Sequence, residues 1–188
     1  MTVGGIVLAG GRSRRMGTAK AGLDWHGVPL VAHVAARVAE ATQGPVVVVR
    51  APGQALPPLP QTIVADPVAG LGPLQGLAAG LAALDAAAAF VCATDQPDAW
   101  QVIPYMLAVF QPGDDAVAFA DQPLGALYSA RVTAVAEQRL AAGEDLSLRG
   151  LLSAVNTRVL AGNAPTSLRS IDTPEDYEAA IRPSTPSR

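Results

Sequence analysis

Short apolar runs and longer amphipathic segments alternate along most of the chain. Four short runs predict strands, at residues 3–8, 45–49, 62–64 and 88–92, and the first two have the apolar composition of buried strands. The spacing of apolar residues predicts three helices in the same half of the chain, at about residues 29–41, 73–84 and 100–110. Pro29 and Pro73 stand where a proline suits the first turn of a helix.

The second half of the chain continues the alternation less regularly. It predicts strands at residues 116–119, 124–129 and 168–171, with helices at about 132–142 and 147–155. A closing helix to about residue 181 starts at Thr173-Pro174-Glu175-Asp176, which reads as an N-cap, a first-turn proline and two acids. Strands that alternate with helices predict an α/β fold with a mostly parallel sheet and helices on both faces.

The length of 188 residues suits one domain with a substantial core. We expect this single domain to span residues 1–182, with a flexible C-terminal tail at 183–188. The net charge of −3 and the pI near 5.3 argue against a general nucleic-acid binder, which would normally be basic.

Three features predict a protein of the cytoplasm that neither crosses nor binds a membrane. No run of about 18 apolar residues could span a bilayer. The N-terminal residues show neither a basic leader nor a cleavage site. Cys92 is the only cysteine, so an internal disulfide is excluded and a cysteine metal site is disfavoured. A zinc site is disfavoured as well, because His26 and His33 form no ligand pair with each other or with Cys92.

In parallel sheets, ligands bind outside the carboxyl ends of the strands. The loop after the first strand, LAGGRSRRMGTAK at residues 8–20, concentrates glycines and basic residues, and Lys20 is the only lysine in the chain. Glycines let backbone N–H groups approach an anion, and an ammonium adds charge. The spacing is neither that of a P-loop nor G-x-G-x-x-G. A solvated surface loop remains the alternative from these residues alone.

Two further loops carry carboxylates beyond strand ends. Asp95 follows the fourth strand, where it could hold Mg²⁺ or merely start a turn before Pro97. Asp66 follows the third strand and precedes the glycines at residues 70 and 72, which suit either a close ligand approach or a tight entry to a helix.

Taken together, these motifs resemble the signature of the MobA-like nucleotidyltransferases. The resemblance begins with the loop at residues 8–20 and continues, in order, through Gly27-x-Pro29-Leu30, Asp66 with Gly72-Pro73-Leu74, Asp95-x-Pro97 and Thr173-Pro174-Glu175-Asp176. It extends to about residue 181. It implies a Rossmann-like three-layer sandwich with a mostly parallel central sheet, of the nucleotide-diphospho-sugar transferase type.

The resemblance also implies an activity. Within the family the chain is most similar to the enzymes that transfer GMP from GTP to the terminal phosphate of molybdenum-molybdopterin, with Mg²⁺ as cofactor and pyrophosphate as the leaving group. Possible partners are proteins that deliver or accept the molybdenum cofactor. Alternatives are a cytidylyltransferase of the same cofactor, a sugar-phosphate nucleotidyltransferase, and a catalytically silent nucleotide-binding domain. Ala9-Gly10-Gly11, rather than Ala-Ala-Gly, favours the guanylyl type.

Site residues follow from the resemblance by position. Lys20, Arg15 and Asp95 would be catalytic, and Asp95 would bind the metal. The residues implied to bind the nucleotide are Leu8, Ala9, Gly10, Gly11, Lys20, Asp66, Gly72 and Asp95. The chain departs from the family pattern at two positions where asparagine is frequent. At position 50 the chain has arginine, so the nucleotide contact of the family's asparagine is not assigned here. At position 172 it has aspartate, which differs less from asparagine.

Overall fold

The computed structural model of the chain describes residues 1–10, 20–68, 70–143 and 145–182. A central sheet contains seven strands of these residues: β1 (Val3–Leu8), β4 (Val46–Arg50), β5 (Thr62–Ala65), β6 (Ala88–Ala93), β7 (Ala116–Phe119), β8 (Gln122–Ser129) and β9 (Thr157–Leu160). A small antiparallel hairpin pairs β2 (Asp24–Trp25) with β3 (Val28–Pro29).

The order of strands in the sheet is β5-β4-β1-β6-β8-β7-β9. β8 runs antiparallel to both of its neighbours, and every other pairing is parallel. The carboxyl ends of β5, β4, β1 and β6 therefore lie side by side along one edge. This confirms the predicted α/β sandwich with a mostly parallel sheet and places the loops after Leu8, Arg50, Ala65 and Ala93 next to one another.

Six α-helices lie in the described ranges: α1 (Leu30–Thr42), α2 (Pro73–Ala83), α3 (Ile103–Val109), α4 (Val132–Ala142), α5 (Leu148–Ala154) and α6 (Pro174–Ile181). Short 3-10 turns cover Lys20–Gly22, Ala99–Val102 and Thr166–Leu168. α1 and α3 pack into one core cluster with one face of the sheet, while α2, α4 and α5 pack into a second cluster with the other face. None of the helices in the described ranges has the length and apolar run that a bilayer crossing requires.

The start of α2 places the backbone close to the sheet. Gly72, its N-cap, has φ +85°, a conformation that glycine adopts without the strain other residues incur. A Cβ on Gly76 would lie 3.1 Å from Leu8 Cδ2, and one on Gly80 would lie 2.7 Å from Ile6 Cγ2. Because these positions lack side chains, α2 packs directly against the end of β1.

One predicted strand is wrong. Residues 168–171 do not join the sheet, and the parallel edge strand is instead β9, at residues 157–160. Leu168 and Ile171 are buried as anchors of an irregular segment rather than as members of a strand ladder. Ile171 N–H donates to Asp95 O at 2.8 Å, which ties this segment to the loop after β6.

Candidate active site

A lysine and two carboxylates meet at the carboxyl edge of the sheet. Lys20 Nζ lies 2.8 Å from Asp95 Oδ2 and 2.9 Å from Asp172 Oδ1. Lys20 begins the first 3-10 turn, Asp95 follows β6, and Asp172 comes just before the N-cap of α6. The Lys20 and Asp95 side chains are 17% and 22% exposed, whereas that of Asp172 is 52% exposed, so the cluster opens to solvent on the Asp172 side.

The two carboxylates keep the ammonium charged. Burial by itself lowers the pKa of Lys20, but the hydrogen bonds and charges of Asp95 and Asp172 outweigh burial, and the pKa lies above its ordinary value. The cluster thus holds one full positive charge between two oxygens from distant parts of the chain.

The backbone on both sides of Asp95 is fixed. Thr94 N–H donates to Leu8 O at 3.1 Å, and Asp95 O accepts from Ile171 N–H. The buried Gln96 side chain accepts from Ala93 N–H at 3.1 Å and donates to Leu168 O at 2.8 Å. These contacts hold the loop in place while the carboxylate of Asp95 points to Lys20.

The alternative that Asp95 merely closes a turn has little support in this geometry. An Asx turn needs the N–H of the residue two positions later, and that residue is Pro97, which has none. The carboxylate instead accepts the ammonium of a residue 75 positions away.

A cavity of about 400 Å³ opens along the same edge of the sheet, over the ends of β1, β4 and β5. It is lined by Leu8, Gly10, Val49, Arg50, Ala51, Pro52, Asp66, Gly70, Gly72, Pro73, Gly76, Ala93 and Leu124. A Cβ on Gly10 would lie 3.1 Å from Ala51 N, so only glycine fits there without displacing the neighbouring loop. The cavity is shaped by backbone and small residues, as a site for a flat ligand would be.

Asp66 lines this cavity, and one of its carboxylate oxygens is buried. Its backbone N–H donates to Arg50 O at 2.8 Å, which places it directly beyond β5. Its Oδ1 is buried without a hydrogen-bond partner. Burial raises the pKa of this carboxyl, and a backbone hydrogen bond from Val68 offsets only part of that effect. A buried acceptor without a partner is costly, which disfavours the charged form of this carboxyl.

The residues predicted for the site fall into two adjoining groups. Leu8, Gly10, Asp66 and Gly72 line the cavity. Lys20 and Asp95 form the charge cluster beside it, two residues beyond the cavity-lining Ala93. Ala9 does not line the cavity; its N–H donates to Val49 O and its carbonyl accepts from Gln54. Gly11 and Arg15 lie outside the described residues.

Sequence reasoning names Asp172 only as a departure from the family pattern and assigns no role to Gln54. Asp172 lies 152 positions after Lys20, and before α6 it looks only like a residue of a helix start. Gln54 lies in a turn-rich stretch whose composition gives no sign of a contact with Ala9. Both roles depend on long-range packing, which no local pattern encodes.

Comparisons with known proteins agree with this geometry. Residues 5–159 match the MobA-like NTP transferase domain. A probable molybdenum cofactor guanylyltransferase of Mycobacterium marinum is 35% identical over an alignment 199 positions long, which covers 97% of this chain and 95% of the relative. A relative of the same description from Mycobacterium tuberculosis is 47% identical over 98 residues, covering 50% of this chain and 48% of the relative.

Solved structures share the fold at low sequence identity. Molybdopterin-guanine dinucleotide biosynthesis protein A from Archaeoglobus fulgidus superposes with a TM-score of 0.69 at 21% identity, covering 96% of this chain and 97% of that one. 2-C-methyl-D-erythritol 4-phosphate cytidylyltransferase from Thermus thermophilus gives 0.69 at 15% identity, covering 94% and 96%. The domain match and the nearly full-length relative show that the chain belongs to the MobA-like NTP transferase family of nucleotidyltransferases.

Proposed function

We propose that the protein transfers GMP from GTP to the terminal phosphate of molybdenum-molybdopterin and releases pyrophosphate. The observation that carries the proposal is the Lys20–Asp95–Asp172 cluster at the end of a glycine-lined cavity. The name of the nearly full-length relative supports the choice of nucleotide and acceptor within the family.

The order of the strands suits a nucleotide laid along the sheet edge. Neighbouring strands lie roughly 4.8 Å apart, so the ends of β4 and β6 are separated by roughly 10 Å. The cavity covers the β5, β4 and β1 end, where a nucleoside would lie. The charge cluster follows β6, which is where the triphosphate would end up. Base and α-phosphate would thus be bound by different, neighbouring groups of residues.

The reaction needs positioning and charge neutralisation more than a covalent group on the protein. An oxygen of the acceptor phosphate attacks the α-phosphorus of GTP, and a new phosphoanhydride bond forms. The bond from the α-phosphorus to the bridging oxygen breaks, and its electron pair leaves with pyrophosphate. Because the acceptor phosphate is already anionic, the protein does not have to supply a strong base.

Lys20 supplies positive charge at the phosphate end. In the nucleotide-free protein its ammonium is held by Asp95 and Asp172. Its three donors and flexible stem allow it to turn toward phosphate oxygens when GTP arrives. We expect the ion pairs with the two carboxylates to open or to be shared at that moment.

The residues at the cluster fit a divalent ion. Asp95 Oδ2 and Asp172 Oδ1 lie 2.8 and 2.9 Å from the same ammonium, that of Lys20. Carboxylate oxygens are also the ligands that Mg²⁺ prefers. Among the described residues no group of three or more potential side-chain ligands is found, which suits an ion that keeps waters and substrate phosphates as ligands. Asp95, with Asp172 beside it, would hold Mg²⁺, which would neutralise charge on the triphosphate.

Ligand-induced stabilisation tests the proposal. The melting temperature would be measured with GTP, CTP, ATP and UTP, each with Mg²⁺. GTP at 100 times its dissociation constant should stabilise the fold by about 2.7 kcal/mol, which raises the melting temperature of a domain of this size by roughly 5–10 °C. Equal stabilisation by CTP and GTP would count against guanylyl transfer and would favour a cytidylyl or unselective enzyme.

A further inference from the structure

The ion pair of Lys20 with Asp172 joins two segments from opposite ends of the chain. Lys20 begins the 3-10 turn that leads into the hairpin of β2 and β3, and Asp172 comes just before the N-cap of α6. Asp95, the other partner of the ammonium, directly follows the central strand β6. The distance of 2.9 Å between Lys20 Nζ and Asp172 Oδ1 therefore depends on how α6 is held against the hairpin.

The backbone of Asp172 is bound to the first turn of α6. The Asp176 carboxylate accepts the N–H groups of Asp172 and Thr173 at 3.1 and 3.0 Å, and the Thr173 side chain accepts from Asp176 N–H at 3.1 Å. This capping box satisfies N–H groups that the start of a helix would otherwise leave without partners. A displacement of α6 would therefore carry Asp172 with it.

The helix α6 buries little apolar surface of its own. None of its eight residues is buried, and Tyr177 and Ile181 pack against the apolar core while they remain partly exposed. A helix of about two turns is not stable by itself, and so small a buried area contributes little to holding it in place. Its position must be set by a small number of specific contacts.

Tyr177 makes such a contact with the segment that carries Lys20. Its hydroxyl donates to Asp24 O in β2, and its ring lies 6.4 Å from that of Trp25, centroid to centroid, at an angle of 52°. Trp25 is 4% exposed, so it offers the tyrosine ring a fixed surface. Leu23 N–H donates to Lys20 O at 3.1 Å, which joins the hairpin to the turn of Lys20. One side chain of α6 thus connects Asp172 to the segment of its partner.

We infer that Tyr177 is a positioning residue that holds Asp172 against Lys20 by fastening α6 to the β2–β3 hairpin. Its consequence for catalysis rests on the proposed function. With Asp172 in place, the ammonium is shared between two carboxylates, and neither of them holds it alone. Without the tyrosine contact, Asp172 would leave the ammonium more often, and Lys20 would stay paired with Asp95, the carboxylate proposed to hold Mg²⁺.

Nuclear magnetic resonance of the lysine tests the inference without any need for turnover. Lys20 is the only lysine, so selective ¹³C labelling of lysine gives a single ε-methylene signal beside the ammonium. This signal would be recorded for the nucleotide-free wild type, for Tyr177→Phe, Tyr177→Ala and Asp172→Ala, and for each tyrosine variant combined with Asp172→Ala. Tyr105→Phe is the matched control, because it removes the hydroxyl of a tyrosine of α3 that is 53% exposed. The melting temperature of each variant checks the fold.

Tyr177→Phe keeps the ring and should move the lysine signal part of the way to its position in Asp172→Ala. Tyr177→Ala also removes the ring and should move the signal further in the same direction. Neither change should move the signal once residue 172 is alanine, because no carboxylate is then left to position. Tyr105→Phe should match the wild type. In the transfer reaction, Tyr177→Phe should lower kcat roughly two- to ten-fold, the effect of one hydrogen bond, and should leave KM for GTP unchanged.

Two results would overturn the inference. A lysine signal at the wild-type position in both Tyr177→Phe and Tyr177→Ala would show that α6 holds Asp172 without the tyrosine. Shifts of the same size with and without the Asp172 carboxylate would show that the tyrosine acts on the Lys20 turn directly and not through Asp172. A wild type that transfers no nucleotide would contradict the proposed function alone, because the lysine signal reports the ion pair whether or not the reaction occurs.

Discussion

The choice of lysine at residue 20 is the clearest residue-level feature of the chain. Twelve of its thirteen basic residues are arginines, yet the one lysine is the residue that bridges Asp95 and Asp172. A compact ammonium can lie between two carboxylates and can still turn toward a phosphate, whereas a planar guanidinium is restricted to its fork geometry. The presence of a single lysine among the basic residues therefore indicates the residue at the centre of the cluster.

We predict that Lys20→Met has opposite effects on turnover and on metal binding. Loss of the ammonium removes a charge-assisted contact to the reacting phosphates, which should lower turnover about 10²–10³-fold. The same change frees Asp95 and Asp172 from their ion pairs, so Mn²⁺ should bind more tightly in the absence of nucleotide. Steady-state kinetics and electron paramagnetic resonance of bound Mn²⁺ measure the two effects. Unchanged metal affinity would contradict the idea that lysine and metal share these oxygens.

Asp95→Asn separates the metal site from a purely structural role. Asparagine keeps the size and one oxygen but loses the charge that favours a divalent ion. We expect an unchanged melting temperature, a shift of the Mg²⁺ activation midpoint to higher concentration, and sharply reduced turnover. Asp85→Asn is the matched control, because this exposed acid precedes β6 at the opposite edge of the sheet. A normal Mg²⁺ midpoint in the Asp95 variant would remove the metal from this site.

At the scale of elements, the contact of α2 with β1 positions the cavity. We predict that Gly80→Ala destabilises the fold by about 1–2 kcal/mol, although alanine favours helices, because the new Cβ would lie 2.7 Å from Ile6 Cγ2 in a closely packed core. In an Ile6→Ala background the same substitution should cost less, since the space is then available. Urea unfolding of the single and double variants tests this. Equal costs in both backgrounds would place the strain elsewhere.

The edge of the sheet depends on a bidentate ion pair whose strength varies with pH. Arg158 Nε and Nη2 donate to the carboxylate of Asp114 at 2.8 and 3.0 Å, and Gln111 N–H donates to it as well. The hydrogen bonds from Arg158 hold the pKa of Asp114 below its ordinary value, against the opposing effect of burial. Its stabilising contribution is therefore complete above pH 4 or so and is lost as the pH falls through the lower pKa of the folded state.

Asp114→Asn should lower the stability by about 1–2 kcal/mol at pH 7, because the charge-assisted hydrogen bonds from Arg158 of β9 to the loop before β7 become neutral ones. The difference from the wild type should shrink when melting is measured well below pH 4, where the wild-type carboxyl is itself protonated. A difference that stays constant down to pH 2 would show that the lost charge is not the cause.

The elements also show which patterns could be predicted and which could not. The four runs of the first half became β1, β4, β5 and β6. β1, β4 and β6 are buried on both faces, where polar residues are excluded. β5 is instead a largely exposed edge strand. β9 was missed because two of its four residues, Thr157 and Arg158, are polar, and the apolar Val159 is 61% exposed. The strand predicted at residues 168–171 was wrong because its two apolar side chains are buried without strand pairing. Leu168 packs so closely against Gly125 that a Cβ added to Gly125 would lie 2.3 Å from Leu168 Cδ2.

At the scale of the whole molecule, the position of the candidate site follows from the topology of the sheet. The rule that ligands bind beyond the carboxyl ends of parallel strands located the loops after β1, β4, β5 and β6 before any contact was known. It could not supply Asp172 or the Gln54 contact, since both are brought in by packing between distant segments. The roles of Gly11 and Arg15 stay predictions, because these residues lie outside the described part of the chain.

The most direct measurement follows the α-phosphate of GTP. The protein would be incubated with Mg²⁺, molybdenum-molybdopterin and GTP labelled at either the α- or the γ-phosphate, and the products would be separated by chromatography. We expect the α-label in a guanine dinucleotide form of the cofactor and the γ-label in pyrophosphate, with neither product formed without Mg²⁺. An α-label that stays in GTP, or that is transferred equally well from CTP, would contradict the assignment of guanylyl transfer.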